Sequence, residues 1–254
     1  MNTVTIDIGN GSAKADFWDN DGFMFRKSGG AFDIDSIVDL GKNIDVGGYI
    51  VSTVRRDSED IIRELEEKSG CLVVRFDFQE IKRHYDISFY KGNLGPDRMA
   101  AVLGSNVVYP GIPKMVVDIG TAMTIDVVDA SGNFKGGNIS LGLMSRMKAL
   151  AAATSKLPAV EEMKKYEDFG TDTEMAISSG ARNGVVGEIL YSFEKAKREY
   201  GVRLGVLTGG DAEKIYFYLS RELGGLLDPY LVGRGLDYHL RVHHLHVPVG
   251  RIQI

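Results

Sequence analysis

The chain has 254 residues, 44 % of them apolar and 26 % charged, with one cysteine and a formal net charge of −5. That length holds one large domain or two ordinary ones, and the apolar share suits a protein with a real core. The acidic balance argues against a nucleic-acid or anionic-membrane surface, no apolar run approaches the ~20 residues a bilayer span needs, and the N-terminus carries no secretory-leader pattern. A lone Cys71 cannot form an internal disulfide, so a reducing cytoplasm is the expected setting.

In chain order, Thr3-Val4-Thr5-Ile6-Asp7-Ile8 reads as a strand that stops at Gly9-Asn10-Gly11. Ala13 to Trp18 returns, and Asn20-Asp21-Gly22 makes a second hairpin turn before Phe23-Met24-Phe25. A strand at Tyr49-Ile50-Val51-Ser52 leads into a helix with Ile61, Ile62 and Leu65 at helical spacing, and Cys71 to Val74 is another strand. Pro96 and Asp97 mark the first turn of a further helix. Gly111-Ile112-Pro113 is the natural boundary, dividing the chain into lobes 1–112 and 113–254. The second lobe opens like the first: Lys114 to Thr121 is a strand ending in Asp118-Ile119-Gly120-Thr121, Ile125 to Asp129 returns, and Ala130 to Asn133 turns again. Asp7 and Asp118 are separated by roughly 110 residues, a sensible length for one lobe of a duplicated fold. Later, Val206 to Gly210 is a strand ending in paired glycines, and Asp211-Ala212-Glu213 opens a helix. Neither a Gly-x-Gly-x-x-Gly after a first strand nor a P-loop occurs.

In the first hairpin, backbone N–H groups and the Ser12 hydroxyl can cradle phosphate oxygens, Lys14 can neutralise their charge, and Asp7 can hold a metal-bound water. One such turn is equally an ordinary Gly-Asn hairpin. A second Asp-Gly-hydroxyl turn at Asp118 to Thr121 favours a polyphosphate clamp, with both acids serving cations. At Asp97-Arg98, an acid can deprotonate a hydroxyl while the guanidinium grips an anion, or the acid can merely cap its helix. Near the C-terminus, His239 and His243 have i,i+4 spacing, yet no cysteine or evident acid completes a zinc site, and an exposed tail is expected.

Asp7-Ile8-Gly9-Asn10, Gly95-Pro96-Asp97-Arg98, Asp118-Ile119-Gly120-Thr121-Ala122, Gly136-Gly137 with Ile139 and Gly142, and Thr208-Gly209-Gly210 occur in that order. The set resembles type III pantothenate kinases, over nearly the whole chain from Asp7 to about Gly235. The resemblance implies an α/β fold of two actin-like (ribonuclease H-like) lobes, with mixed sheets flanked by helices. It also implies ATP-dependent phosphorylation of pantothenate to 4′-phosphopantothenate, the first step towards coenzyme A. Carried over motif by motif, Asp97 is the general base, and Tyr90, Gly95, Pro96, Asp97 and Arg98 line the pantothenate pocket, with Arg98 on the carboxylate. Thr173 is a further substrate contact; read structurally it is a helix N-cap. Asp7, Gly9, Asn10, Gly11, Ser12, Lys14, Thr121, Gly136 and Gly137 bind ATP, Asp7 reaching Mg²⁺ through water. Asp118 holds a monovalent cation, K⁺ or NH₄⁺, and the family implies a homodimer. Gly11 stands where the family usually has Thr, Leu141 replaces a proline, and the Tyr90 to Leu94 loop is short. Those departures keep two other readings open: a catalytically weak, nucleotide-binding regulatory relative, or a same-fold kinase for another small hydroxyl substrate.

Overall fold

The structure, a computed structural model, describes residues 1–9, 12–29, 33–53, 58–163 and 167–247. It contains two five-stranded mixed sheets flanked by helices, as expected. The first comprises β1 (Asn2–Ile8), β2 (Ala13–Trp18), β3 (Phe23–Gly29), β4 (Val46–Thr53) and β5 (Leu72–Arg75), in the order β3-β2-β1-β4-β5. The second comprises β6 (Lys114–Ile119), β7 (Ala122–Val128), β8 (Phe134–Leu141), β9 (Leu204–Thr208) and β10 (Leu226–Leu227), in the order β10-β9-β6-β7-β8. Read from the other edge, the second order repeats the first strand for strand. The pairing repeats too: β1 and β6 each pair antiparallel with the next strand and parallel with the fourth of their sheet. The duplication visible in the two Asp-Ile-Gly turns is therefore a duplication of topology.

β1 is a central strand rich in β-branched residues, and such residues fit a pleated surface covered on both sides. Its alternation separates two faces. Val4, Ile6 and Ile8 pack with Phe17, Tyr49 and Val51 against Ile37 and Val38 of α1 (Ile34–Asn43) and Ile61 and Leu65 of α2 (Ser58–Ser69). Thr3 and Thr5 lie on the other face, where Thr3 donates to Asp237 and Thr5 accepts from the Trp18 indole at 3.0 Å. That face is covered by α8 (Leu231–Leu240), which packs against α4 (Pro96–Val108). α4 is buried almost all round, from Arg98 to Ser105, which is the signature of a core helix. The two helices meet backbone to backbone. A Cβ on Gly235 would sit 1.8 Å from the Ala100 carbonyl oxygen, and one on Gly104 would sit 2.0 Å from that of Leu231, so only glycine allows this approach.

Because of that contact, the compact units are Met1–Gly111 with Tyr230–Ile254, and Ile112–Pro229. The expected division assigned all of 113–254 to one lobe, whereas by contacts the last helix belongs with the first unit. The second unit packs Met115, Val117 and Ile119 against Val185, Ile189 and Phe193 of α6 (Thr173–Tyr200) and Ala212, Ile215 and Leu219 of α7 (Ala212–Leu219). Among the described residues it also has α5 (Leu143–Ala153), and α3 (Phe78–His84) belongs to the first unit. No helix among the described residues is long and apolar enough to cross a membrane.

Lys114, at the start of β6, is fully buried, and its Nζ donates to the Ile112 carbonyl at 3.1 Å. Burial pushes its pKa down to about 8, against a smaller opposing pull from Asp129. Between that value and the ordinary 10.5, the unfolded chain holds the proton and the folded one releases it. Stability therefore rises with pH across that window. Lys114→Met is expected to raise the unfolding free energy at pH 7 by about 1–2 kcal/mol, the lost hydrogen bond offsetting part of the burial cost. It is also expected to flatten the rise between pH 8 and 10, as read by urea unfolding at each pH.

Candidate active site

In the first unit, Asp7 lies on the face of β1 that carries Thr3 and Thr5, and it is half-buried. Its cross-strand partner on β2 is Lys14, and on its parallel neighbour β4 it faces Ser52. An acid directly opposite a lysine is a favourable cross-strand pair. The turn beyond is closed by the Gly9 N–H, which donates to the Ser12 carbonyl at 3.0 Å, leaving Ser12 exposed. Asn10 and Gly11, both expected on the phosphate, lie outside the described residues.

The second unit builds the equivalent turn. Asp118 faces Thr124 on β7 and Thr208 on β9. The Gly120 N–H donates to the Ala122 carbonyl, and the Gly142 N–H to the Thr121 carbonyl, each at 3.0 Å. The β9–α7 turn closes on the same spot, with the Asp211 N–H donating to the Ile119 carbonyl at 2.9 Å. Gly209 has φ +97°, and a Cβ there would lie 2.4 Å from the Asp118 Oδ1. Gly209 is thus the bare floor that leaves room for the Asp118 carboxylate.

Four residues join the turns: Ser52, which the sequence did not mark, and Thr208, Gly209 and Gly142, which the sequence showed as motif residues without a role at either acid. Ser52 and Thr208 are buried and place a hydroxyl-bearing residue beside each acid. Their signal is a hydroxyl residue at the end of the fourth strand of each sheet, visible only once the strands are aligned. Gly136 and Gly137 are not brought to the Thr121 turn. They pair with Val127 and Asp126 on β7, whereas Thr121 adjoins the Ala122 end, roughly 17 Å away along the strand. They border a separate depression of about 220 Å³ with Tyr191, Lys195 and Tyr200.

The third element is the start of α4. Gly95 caps it, Pro96 occupies the first position, and Asp97 is half-buried in the first turn, its Oδ1 accepting from the Arg98 N–H at 2.9 Å. Arg98 is buried; its Nη1 donates to the Tyr90 hydroxyl at 3.2 Å, and its guanidinium lies 5.9 Å from the Tyr90 ring centre. Tyr90, Gly95, Pro96, Asp97 and Arg98 thereby lie together. A depression of about 640 Å³ opens beside them, lined by Tyr90 with Phe78, Lys82, Tyr85, Ser88 and Asn93. An ionisable acid at a helix N-terminus, beside a fixed guanidinium, can take a proton from a hydroxyl while an anionic group is gripped nearby. Thr173 is exposed at the first position of α6, and the cap is Asp172, whose carboxylate accepts from the Met175 N–H at 2.8 Å.

The paired sheets and their Asp-Ile-Gly turns define the class of fold used by actin-like kinases, and solved structures of that class align with the chain. A putative N-acetylmannosamine kinase from Listeria monocytogenes aligns with a TM-score of 0.54 at 16 % identity, covering 94 % of this chain and 98 % of that one. A conserved putative Baf family transcriptional activator from Campylobacter jejuni aligns with a TM-score of 0.62 at 22 % identity, over 94 % and 98 %. At these identities both show the fold alone. The family is shown by sequence: residues 3–195 match the type III pantothenate kinase family model. The type III pantothenate kinase of Bacteroides fragilis (strain YCH46) is 34 % identical over 239 residues, 93 % of this chain and 96 % of that protein. The chain belongs to the type III pantothenate kinase family, a family of phosphotransferases.

Proposed function

We propose that the chain transfers the γ-phosphoryl group of ATP to a hydroxyl of pantothenate, giving 4′-phosphopantothenate and ADP. The observation that carries this reading is the start of α4, where half-buried Asp97 sits beside an Arg98 held in place by Tyr90. In the transfer, the substrate oxygen forms its bond to phosphorus as the bond to the ADP oxygen breaks, and Asp97 takes the hydroxyl proton. Arg98 grips the pantothenate carboxylate, a pairing suited to its planar fork of donors. Tyr90, Gly95 and Pro96 shape that pocket, and Thr173 is assigned a further substrate contact.

A kinase of this family takes ATP with a divalent cation, which spreads the charge developing on the phosphate oxygens. Hard oxygen donors suit such an ion, and Asp7, reaching it through water, is the donor assigned here. The Gly9 to Lys14 turn and Thr121 bind phosphate oxygens, and Lys14 neutralises charge. Gly136 and Gly137 are assigned to the rest of the nucleotide. Asp118 is assigned the monovalent cation, K⁺ or NH₄⁺, and the active form a homodimer in the cytoplasm.

The test is ADP release with ATP, Mg²⁺ and K⁺, with and without pantothenate. Pantothenate-dependent release, falling when K⁺ is replaced by Na⁺, is the expected result. Pantothenate bound without release would overturn the kinase reading in favour of a regulatory relative. Neither binding nor release would shift the search to other hydroxyl acceptors.

A further inference from the structure

Of the C-terminal histidines only His246 is exposed; His239, His243 and His244 do not form an exposed tail. His239 is fully buried on α8, and the chain continues from it into a π-helical turn, Arg241–Leu245. That winding has a consequence for side-chain direction. In an α-helix, residues five apart point about 140° away from each other, whereas the wider π turn narrows that angle. His239 and His244 therefore face the same neighbour, Glu80 on α3, while the i,i+4 pair visible in the sequence, His239 and His243, is not the pair the fold uses. The missing acid lies more than half the chain away in sequence.

Glu80 Oε1 is 3.1 Å from His239 Nε2, 2.8 Å from His244 Nε2 and 3.1 Å from His84 Nε2. The four potential ligand atoms all lie within 4.8 Å of one another. Three ring nitrogens converge on one carboxylate oxygen, which offers about two lone pairs, so hydrogen bonding alone leaves the arrangement oversubscribed. The rings crowd each other as well: His84 and His239 have centroids 5.2 Å apart, and His239 and His244 5.3 Å. Zinc bonds of about 2.0–2.1 Å in a tetrahedron put ligand atoms about 3.3 Å apart, within a few tenths of an ångström of the three distances to Glu80.

We propose that Glu80, His84, His239 and His244 form a closed tetrahedral site for a divalent first-row metal of the zinc class. Three imidazoles with one carboxylate are the nitrogen and oxygen donors such an ion prefers, and four protein ligands leave no open position, which makes the site structural. The shell around it is built. The Tyr85 hydroxyl lies 2.9 Å from His239 Nδ1, so that nitrogen can donate to it while Nε2 turns its lone pair inward. Arg83, mostly exposed, donates to the other Glu80 oxygen, Oε2, at 2.9 Å and leaves Oε1 to the cluster. His243 lies against His84, the rings tilted with centroids 4.2 Å apart, but is not one of the four. The metal would join α3 to the helix that returns from the second unit.

The experiment uses the full chain without a histidine tag, stripped with a chelator and then dialysed against limiting Zn²⁺. One zinc per chain by atomic emission, and an upward shift of the unfolding temperature of about 5 °C, are expected. Both are expected to vanish in His84→Ala/His244→Ala, whose sites are partly exposed, and to persist in His243→Ala. Co²⁺ on the wild-type chain should give the intense visible bands of tetrahedral coordination, a readout that needs no variant. Equal zinc in the wild type and the double variant, no shift in unfolding temperature, or an octahedral Co²⁺ spectrum would each overturn the site.

Discussion

Asp97→Asn is expected to lower pantothenate-dependent ADP release by about 10²–10⁴-fold, the range general-base catalysis usually supplies. The substitution keeps the shape of the side chain and an oxygen able to accept the Arg98 N–H, so α4 keeps its first turn. What it removes is the ability to accept a proton at neutral pH. The loss should therefore appear in kcat, with pantothenate binding by calorimetry within a few-fold of the wild type. Unchanged turnover would take the base role from Asp97. A large rise in KM with kcat intact would make it a binding group instead.

Arg241→Met is expected to cost about 3–5 kcal/mol of stability, a large share of the 5–15 kcal/mol available to a domain. Arg241 is buried and clamps both carboxylate oxygens of Asp237, at 2.8 and 2.9 Å. It also donates to the carbonyls of Asp19 at 2.9 Å and Met1 at 3.2 Å. Methionine fills the space but leaves Asp237 as a buried charge without that partner. Arg241→Lys should rescue little, since one ammonium cannot reproduce a planar fork of five donors. Arg241→Met/Asp237→Leu should recover most of the loss, because a buried ion pair replaced whole is often neutral. The check is the urea midpoint of all three variants; full stability in Arg241→Met would show the network to be dispensable.

What could be read from the residues alone was the part encoded locally. The β1–β2 and β6–β7 hairpins follow from short apolar runs bounded by glycine, and the start of α4 follows from Gly95-Pro96-Asp97. Asp97 and Arg98 stand out because they open a helix after Gly95-Pro96, whereas Tyr90 entered only through the family resemblance, and its contact with Arg98 is a feature of the fold. What escaped was set by distant contacts. α6, at 28 residues, carries Gly180, Gly184 and Gly187, which lower helix propensity and break its apolar period, so its length depends on packing. Gly209 belongs to the Asp118 site only because β9 lies beside β6. The histidines read as a tail in the sequence because their acid, Glu80, is on another helix and because a π turn, not an α turn, follows His239. The return of α8 to the first unit rests on the bare backbones of Gly104 and Gly235, a signal that no periodicity carries.

That return imposes an order on synthesis. Residues 112–229 form an uninterrupted unit, so they can close their core as soon as they leave the ribosome, at a pace of about 5–20 residues per second. The first unit, although made earlier, cannot do so: the face of β1 bearing Thr3 and Thr5 and one side of α4 stay uncovered until α8 arrives. For several seconds the nascent chain carries a finished second unit and an open first one, whose exposed apolar helix α4 is a natural binding target for chaperones. The part of the chain translated first is thus the last to be completed.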